Sequence, residues 1–306
     1  MIPANETFEG TFSFKPHFST AAGFRMHYVD EGEGEPIVCL HGEPTWGYLY
    51  RRFIPPLSKR YRVIVPDHMG FGKSETPANK EYTLATHVEN LEALLLELDL
   101  REITLVLHDW GGPIGGGFAL RHLDRVKRLF LMNTVVPLGL PIEAELLPKA
   151  TAQSKWFQWA VKANKNGTLE QVLGNAEVTI LHLMKQLQGF ENMSVVDRTW
   201  INAYSAHFQT KEDCRGIINF PLDVITNRET QFPLEAADAI AALRQKPAMM
   251  AEGMKDFALP PEHFIRIFRA GFPNASVIEL ENAGHFCQED RPDTLIALIE
   301  QFIQLT

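Results

Sequence analysis

An α/β fold, with a mostly parallel central sheet flanked by helices, is predicted by three features of this 306-residue chain. Short continuous apolar runs recur between residues 36 and 134 and return from residue 246, as strands buried on both faces require. Helix-period stretches alternate with them, the rhythm of layered α/β proteins. Between residues 137 and 225 the rhythm stops, and only helical patterns remain.

Taken in order, FRMHYVDE (24–31) alternates apolar and polar side chains, which predicts an edge strand with one solvated face. PIVCLHG (36–42), YRVIVPD (61–67), ITLVLHD (103–109) and RLFLMNT (128–134) are the buried parallel strands. Leu84, Val88, Leu91, Leu94, Leu95 and Leu98 lie on one stripe at helical spacing. SKWFQWAVKANK and VVDRTWINAYSAHF are helices of the interruption. KPAMMAEG (246–253) and ASVIELENAGH (275–285) resume the sheet, and DTLIALIEQFIQL closes the chain as a helix. The domain reading is a core of residues 1–136 and 226–306, with an inserted helical cap, or lid, of residues 137–225. Such an insertion roofs the carboxyl ends of the strands, where open α/β sheets bind ligands.

With 45% hydrophobic and 22% charged residues the composition is that of an ordinary globular chain. A formal charge of −9 disfavours nucleic acid or an anionic membrane as partner. No apolar run approaches the ~18 residues of a membrane span. MIPANETFEGTFSFKPHF lacks the basic and apolar regions of a signal peptide. Cys39, Cys214 and Cys287 have neither CxxC nor metal spacing and read as reduced thiols. The expectation is a cytoplasmic protein, with a periplasmic location left open, without metal, as a monomer or small homo-oligomer.

The chemistry centres on LHDWGG (107–112), where a strand runs through a glycine-rich turn into a helix. This is the layout of a nucleophile elbow, with Asp109 at the tip where serine usually stands. Alone, Asp109 also reads as a helix N-cap; the rest of the chain decides. LHGEPTW (40–46) follows a strand, and the backbone N–H groups of Glu43 and Trp110 are the candidate oxyanion hole. Glu43–Pro44 is a candidate cis bond. His285, just past the last strand, is the candidate base, one of eleven histidines. His108 reads as a packing residue on the opposite side of its strand. Asp256, in GMKD, is the candidate acid that orients His285, with Glu252 and Asp223 as weaker rivals; Asn133, at the end of RLFLM, holds no charge. DHMGFGKS (67–74) lacks the first glycine of a phosphate loop, Asp67 standing there, and reads as a structural turn.

A carboxylate is ionised at pH 7 without help, its reference pKa being near ~4. It can displace a leaving group from saturated carbon in one step, leaving an alkyl ester on the enzyme. A histidine is then needed only to activate the water that cleaves this ester.

LHGEPTW, DHMGFGKS, LVLHDWGG, GMKD and NAGHFCQED, in this order and spacing, resemble the α/β-hydrolase fold family with an aspartate nucleophile, and most of all the haloalkane dehalogenases. The resemblance covers the core nearly end to end and is weaker in the insertion. It implies a reaction without cofactor between a small halogenated alkane and water, releasing an alcohol, a halide ion and a proton. It implies that the indole N–H of Trp110 and that of a second, lid tryptophan hold the halide. Trp159 is favoured for the second, with Trp156 in reserve and Trp200 also available. The alternative is an epoxide hydrolase or esterase-like hydrolase on the same scaffold: HDWGG occurs in epoxide hydrolases too, though these typically use two lid tyrosines and residues 137–225 contain only Tyr204. A relative acting on carboxylate-bearing substrates carries arginine where this chain has Trp110.

Overall fold

The computed structural model describes residues 1–228 and 237–306; residues 229–236 of the expected second core segment lie outside the described residues. Eight strands form one sheet in the order β1-β2-β4-β3-β5-β6-β7-β8. They are β1 His17–Ser19, β2 Met26–Glu31, β3 Pro36–Leu40, β4 Arg62–Pro66, β5 Ile103–His108, β6 Val126–Met132, β7 Ala248–Gly253 and β8 Ser276–Leu280. β1–β2 and β2–β4 pair antiparallel; every other pair is parallel.

All residues of β3 and β5 are buried, which is why these strands read as unbroken apolar runs. One strand expectation is corrected. β2 is not the edge, because the three-residue β1 pairs outside it. A strand of three residues is too short to show any period, so its sequence carries no signal.

The core helices are α1 Ile54–Leu57, α2 Leu84–Glu97, α3 Gly111–Arg121, α11 Pro261–Gly271, α12 Cys287–Asp290 and α13 Pro292–Leu305. The α2 stripe is buried from Leu84 to Leu95, and Thr83 caps its start by accepting from the Thr86 N–H. Between β6 and β7 every described element is helical. These are α4 Pro141–Gln153, α5 Lys155–Lys165, α6 Leu169–Leu173, α7 Ala176–His182, a π-helical turn Leu183–Gly189, α8 Arg198–Ser205, α9 Arg215–Ile225 and α10 Ala237–Leu243, with short 3-10 turns at Met193–Val195 and Glu212–Cys214. Ser154 and Asp197 cap α5 and α8 through their side chains.

DHMGFGKS forms a buried turn. Asp67 accepts hydrogen bonds from the Gly47 and Lys73 N–H groups at 2.8 and 2.7 Å and pairs with His27 at 2.8 Å. The Lys73 amine donates to the carbonyls of Ala4 and Glu6, so it is engaged inside the fold.

Candidate active site

Asp109 sits directly after β5, at φ +49°, a left-handed conformation uncommon outside glycine, which its surroundings must hold. Here they do. Its N–H donates to the Asn133 carbonyl, and its carbonyl accepts from the Gly112 N–H and the Thr134 hydroxyl. Gly111 and Gly112 are needed for close approach: a Cβ on the first would collide with the Leu40 carbonyl, on the second with Thr134. Across the turn after β3, the Glu43 N–H donates to Asp109 Oδ1 at 2.7 Å, and Glu43–Pro44 is cis. Trp110 stands at the start of α3, so its N–H belongs to the helix-end donors that no carbonyl of the helix can pair.

The other half of the site comes from the loops after β7 and β8. Asp256 Oδ1 accepts from the Ala258 and Leu259 N–H groups, both at 2.7 Å. Its Oδ2 meets His285 Nδ1 at 2.7 Å and the Asn133 amide at 2.9 Å. His285 Nε2 points back to Asp109 Oδ2 at 3.4 Å, an ion-pair distance longer than a good hydrogen bond. Asp109, His285 and Asp256, each proposed from a different part of the chain, therefore form one line.

Electrostatics follow from this line. Burial opposes the charge on His285, but the Asp256 carboxylate, hydrogen-bonded to its Nδ1, and the nearby Asp109 carboxylate outweigh it and push its pKa up to about 10. Burial also pushes the Asp109 carboxyl up, yet His285 and the Glu43 N–H hold it below the usual carboxylate range. Glu43 and Glu252 are fully buried, and burial raises both well above the usual carboxylate range, favouring the neutral acid in each.

Asp109 and Trp110 lie at the wall of a cavity of about 340 Å³, within the size range of small-molecule sites. Its lining is mostly apolar and draws on both parts of the fold: Thr134 and Leu259 from the core, Leu147 and Phe157 from α4 and α5. The Trp110 indole stacks on Phe220 of α9, with ring centroids 4.4 Å apart.

The second tryptophan is placed differently from expectation. Phe157, between the two candidates, reaches the cavity wall, whereas neither Trp159 nor Trp156 is among its lining residues. Those two rings stack on each other at 5.2 Å. The Trp200 and Tyr204 side chains both donate to Glu289, at 3.2 and 2.6 Å, and the Trp46 N–H donates to the Ala203 carbonyl. Of the two rival acids, Asp223 pairs with Arg228 and accepts from the Leu84 N–H at the start of α2, while the Glu252 carboxyl is fully buried beside the Asn133 backbone N–H.

Two further residues support the line in ways their sequence context does not show. Asn133 holds Asp256 through its amide and also bonds the Gly253 N–H and carbonyl. Its position directly after a buried strand, matching that of Asp109, was the available signal. His108 does more than pack: burial and the charge of His285 hold its pKa down to about 3, and the neutral ring donates from Nε2 to the His285 carbonyl at 2.9 Å. Among the described residues no cluster of three or more His, Cys, Asp or Glu side chains has a metal-holding arrangement, and no helix is long and apolar enough to cross a membrane.

Residues 35–292 match the model of the alpha/beta hydrolase fold. The chain belongs to that family. It is 34% identical over 299 residues to a cis-3-alkyl-4-alkyloxetan-2-one decarboxylase of Shewanella oneidensis, covering 96% of this chain and 89% of the relative. It is 31% identical over 299 residues to a haloalkane dehalogenase of Mycobacterium bovis, covering 95% and 96%. Among solved structures it is similar to a haloalkane dehalogenase of Paraglaciecola agarilytica, described as tetrameric, at TM-score 0.70 and 27% identity over 94% of this chain and 92% of that one.

Proposed function

We propose that this α/β-hydrolase is a haloalkane dehalogenase, with residues 137–225 as its cap, which hydrolyses the carbon–halogen bond of a small halogenated alkane through an alkyl ester on Asp109. The observation that carries the reading is an ionised aspartate at the wall of an apolar cavity, 3.4 Å from a histidine that Asp256 orients.

Asp109 attacks the saturated carbon and the halide leaves toward the Trp110 indole N–H. In the resting site His285 is an imidazolium, paired with two carboxylates. Esterification removes the charge of Asp109, so the imidazolium gives up its proton and becomes a base. It then takes a proton from water as the hydroxide attacks the ester carbonyl, and the Glu43 and Trp110 N–H groups hold the oxyanion. Collapse, with His285 passing its proton to the leaving alkoxide and recovering one from the carboxyl group, frees the alcohol and restores the Asp109–His285 pair. One water is consumed; one halide and one proton are released.

A second reading is favoured by one observation: of the five tryptophans, Trp110 alone is among the residues that line the cavity. An oxetan-2-one, as the first relative's name indicates, needs no second indole. Asp109 would open the ring at its saturated C–O carbon, giving a carboxylate. Loss of carbon dioxide then expels Asp109 and leaves an alkene. This route consumes no water and leaves His285 without a base's task, which is why the hydrolytic reading is preferred.

Incubation with 1-bromobutane, 1,2-dibromoethane and a cis-dialkyl oxetan-2-one separates the two. Halide release with alcohol formation supports the first; alkene and carbon dioxide from the lactone, without halide release, moves the assignment to the second. In His285→Gln, mass spectrometry is expected to show a butyl adduct on Asp109 after treatment with 1-bromobutane. An unmodified protein that still binds the substrate overturns the covalent scheme.

A further inference from the structure

The loops that carry Asp256 and His285 are held by one short segment of the helical excursion. At the end of its π-helical turn, the Gln188 carbonyl accepts from the Phe257 N–H at 2.9 Å, and the next carbonyl, that of Gly189, from the Phe286 N–H at 3.3 Å. Phe257 and Phe286 are the residues immediately after Asp256 and His285. Two consecutive carbonyls of one strap thus hold the backbone on which the acid and the base stand.

Asp290 closes the arrangement. Its Oδ2 accepts from the N–H of Gly284, the residue just before His285, at 2.8 Å, while its Oδ1 accepts from the Glu191 and Asn192 N–H groups at 2.8 and 2.7 Å. The Asn192 amide donates in turn to the Glu289 carbonyl at 3.2 Å. Packing leaves no slack: Gly189 has φ +101°, and a Cβ there would come within 2.8 Å of the Lys255 carbonyl. Asp109 is held otherwise, by the β5–α3 elbow and the Glu43 N–H.

We propose that residues 188–192, stapled by Asp290, are the positioning element for the Asp256–His285 pair. The excursion is then part of the machinery of ester cleavage as well as a roof over the substrate. This rests on the reading that Asp109 is alkylated and His285 drives release. Gln188 also touches the Glu43 carbonyl through its amide at 3.4 Å, so it is left intact and the variants are made at Gly189 and Asp290.

In Asp290→Asn and Gly189→Ala, rapid-quench kinetics with 1-bromobutane are expected to show one equivalent of halide released at the wild-type rate. Steady-state turnover then falls about 10–100-fold, the range for removing hydrogen bonds behind a working side chain. kcat and KM fall together, kcat/KM holds, and butylated Asp109 accumulates. The low-field proton NMR resonance of the His285 Nδ1–H shifts in the substrate-free variants, and Asp290→Glu restores part of the turnover. Equal slowing of burst and steady state, or an unmoved resonance with full turnover, overturns the proposal. Should Gly189→Ala fail to fold, the Asp290 variants carry the test, with thermal melting confirming their fold. A wild-type protein that releases no halide refutes the functional reading instead, and the NMR comparison still decides the positioning claim.

Discussion

Asp109 and His285 face each other across 3.4 Å, yet the chain secures them by opposite means. Asp109 is placed locally: a buried strand, a residue at positive φ and two glycines within four positions leave it one place to point. His285 is placed from afar. Its ring is fixed by Asp256, its carbonyl by His108, its neighbours by Gly189 and Asp290. On the proposed reading, a nucleophile is built into the sheet, whereas the base that follows it depends on contacts between segments widely separated in the chain.

The sharpest way to break this comparison is at its local end. Asp109→Asn keeps the elbow but removes the nucleophile, and halide release is expected to fall by about 10⁴-fold or more, as when a nucleophile is deleted from a catalytic unit. Residual release above that level, measured at saturating 1-bromobutane, would mean that another group attacks carbon. At the distant end, Asp256→Asn leaves His285 oriented for the wrong tautomer and costs about 10³–10⁴-fold in turnover, while single-turnover halide release stays near the wild-type rate. A variant slowed equally in both steps would show that the two halves of the site are not separable.

The same contrast decides what sequence could reveal. The parallel strands and Asp109 were legible because their signals are local, an apolar run and a glycine turn. His285 and Asp256 were legible only through motif order, since nothing near either residue says which elements brace it. The excursion is harder still. SKWFQWAVKANK reads correctly as a helix, but helical period does not fix which face meets the cavity, and Phe157 rather than Trp159 is turned inward. β1 is invisible because three residues have no periodicity, and Asn133 carries no charge to mark it, although its hydrogen bonds hold Asp256 and Gly253.

A smaller effect separates the tryptophans. Trp110 is the indole at the cavity wall, so Trp110→Phe removes a donor to the departing anion and is expected to slow halide release about 10²–10³-fold. Trp159→Phe, at a ring that stacks on Trp156 and is not among the lining residues, is expected to stay within about threefold. Steady-state halide assays on both variants check this. A Trp159 effect as large as that of Trp110 would mean that α5 turns when substrate binds, and would restore the two-indole clamp.

The least effect expected is on stability, and its sign tests the resting charge state directly. The pKa of His285 is raised to about 10, against ~6.5 for an unfolded histidine. Below pH ~6.5 both states are protonated and the stabilisation by Asp256 and Asp109 is fully present. Above it the unfolded chain loses the proton while the folded one keeps it, so the contribution drains away as pH rises toward 10. The difference in Tm between wild type and His285→Gln is therefore expected to be larger at pH 6 than at pH 10. Asp109→Asn removes one of the charges that raise His285, so its imidazole, followed by NMR, should titrate below the wild-type midpoint. A Tm difference independent of pH, or an unchanged midpoint, would mean that His285 rests neutral beside Asp109. The proton would then not have to leave the site after esterification, and the base would be ready before the ester forms.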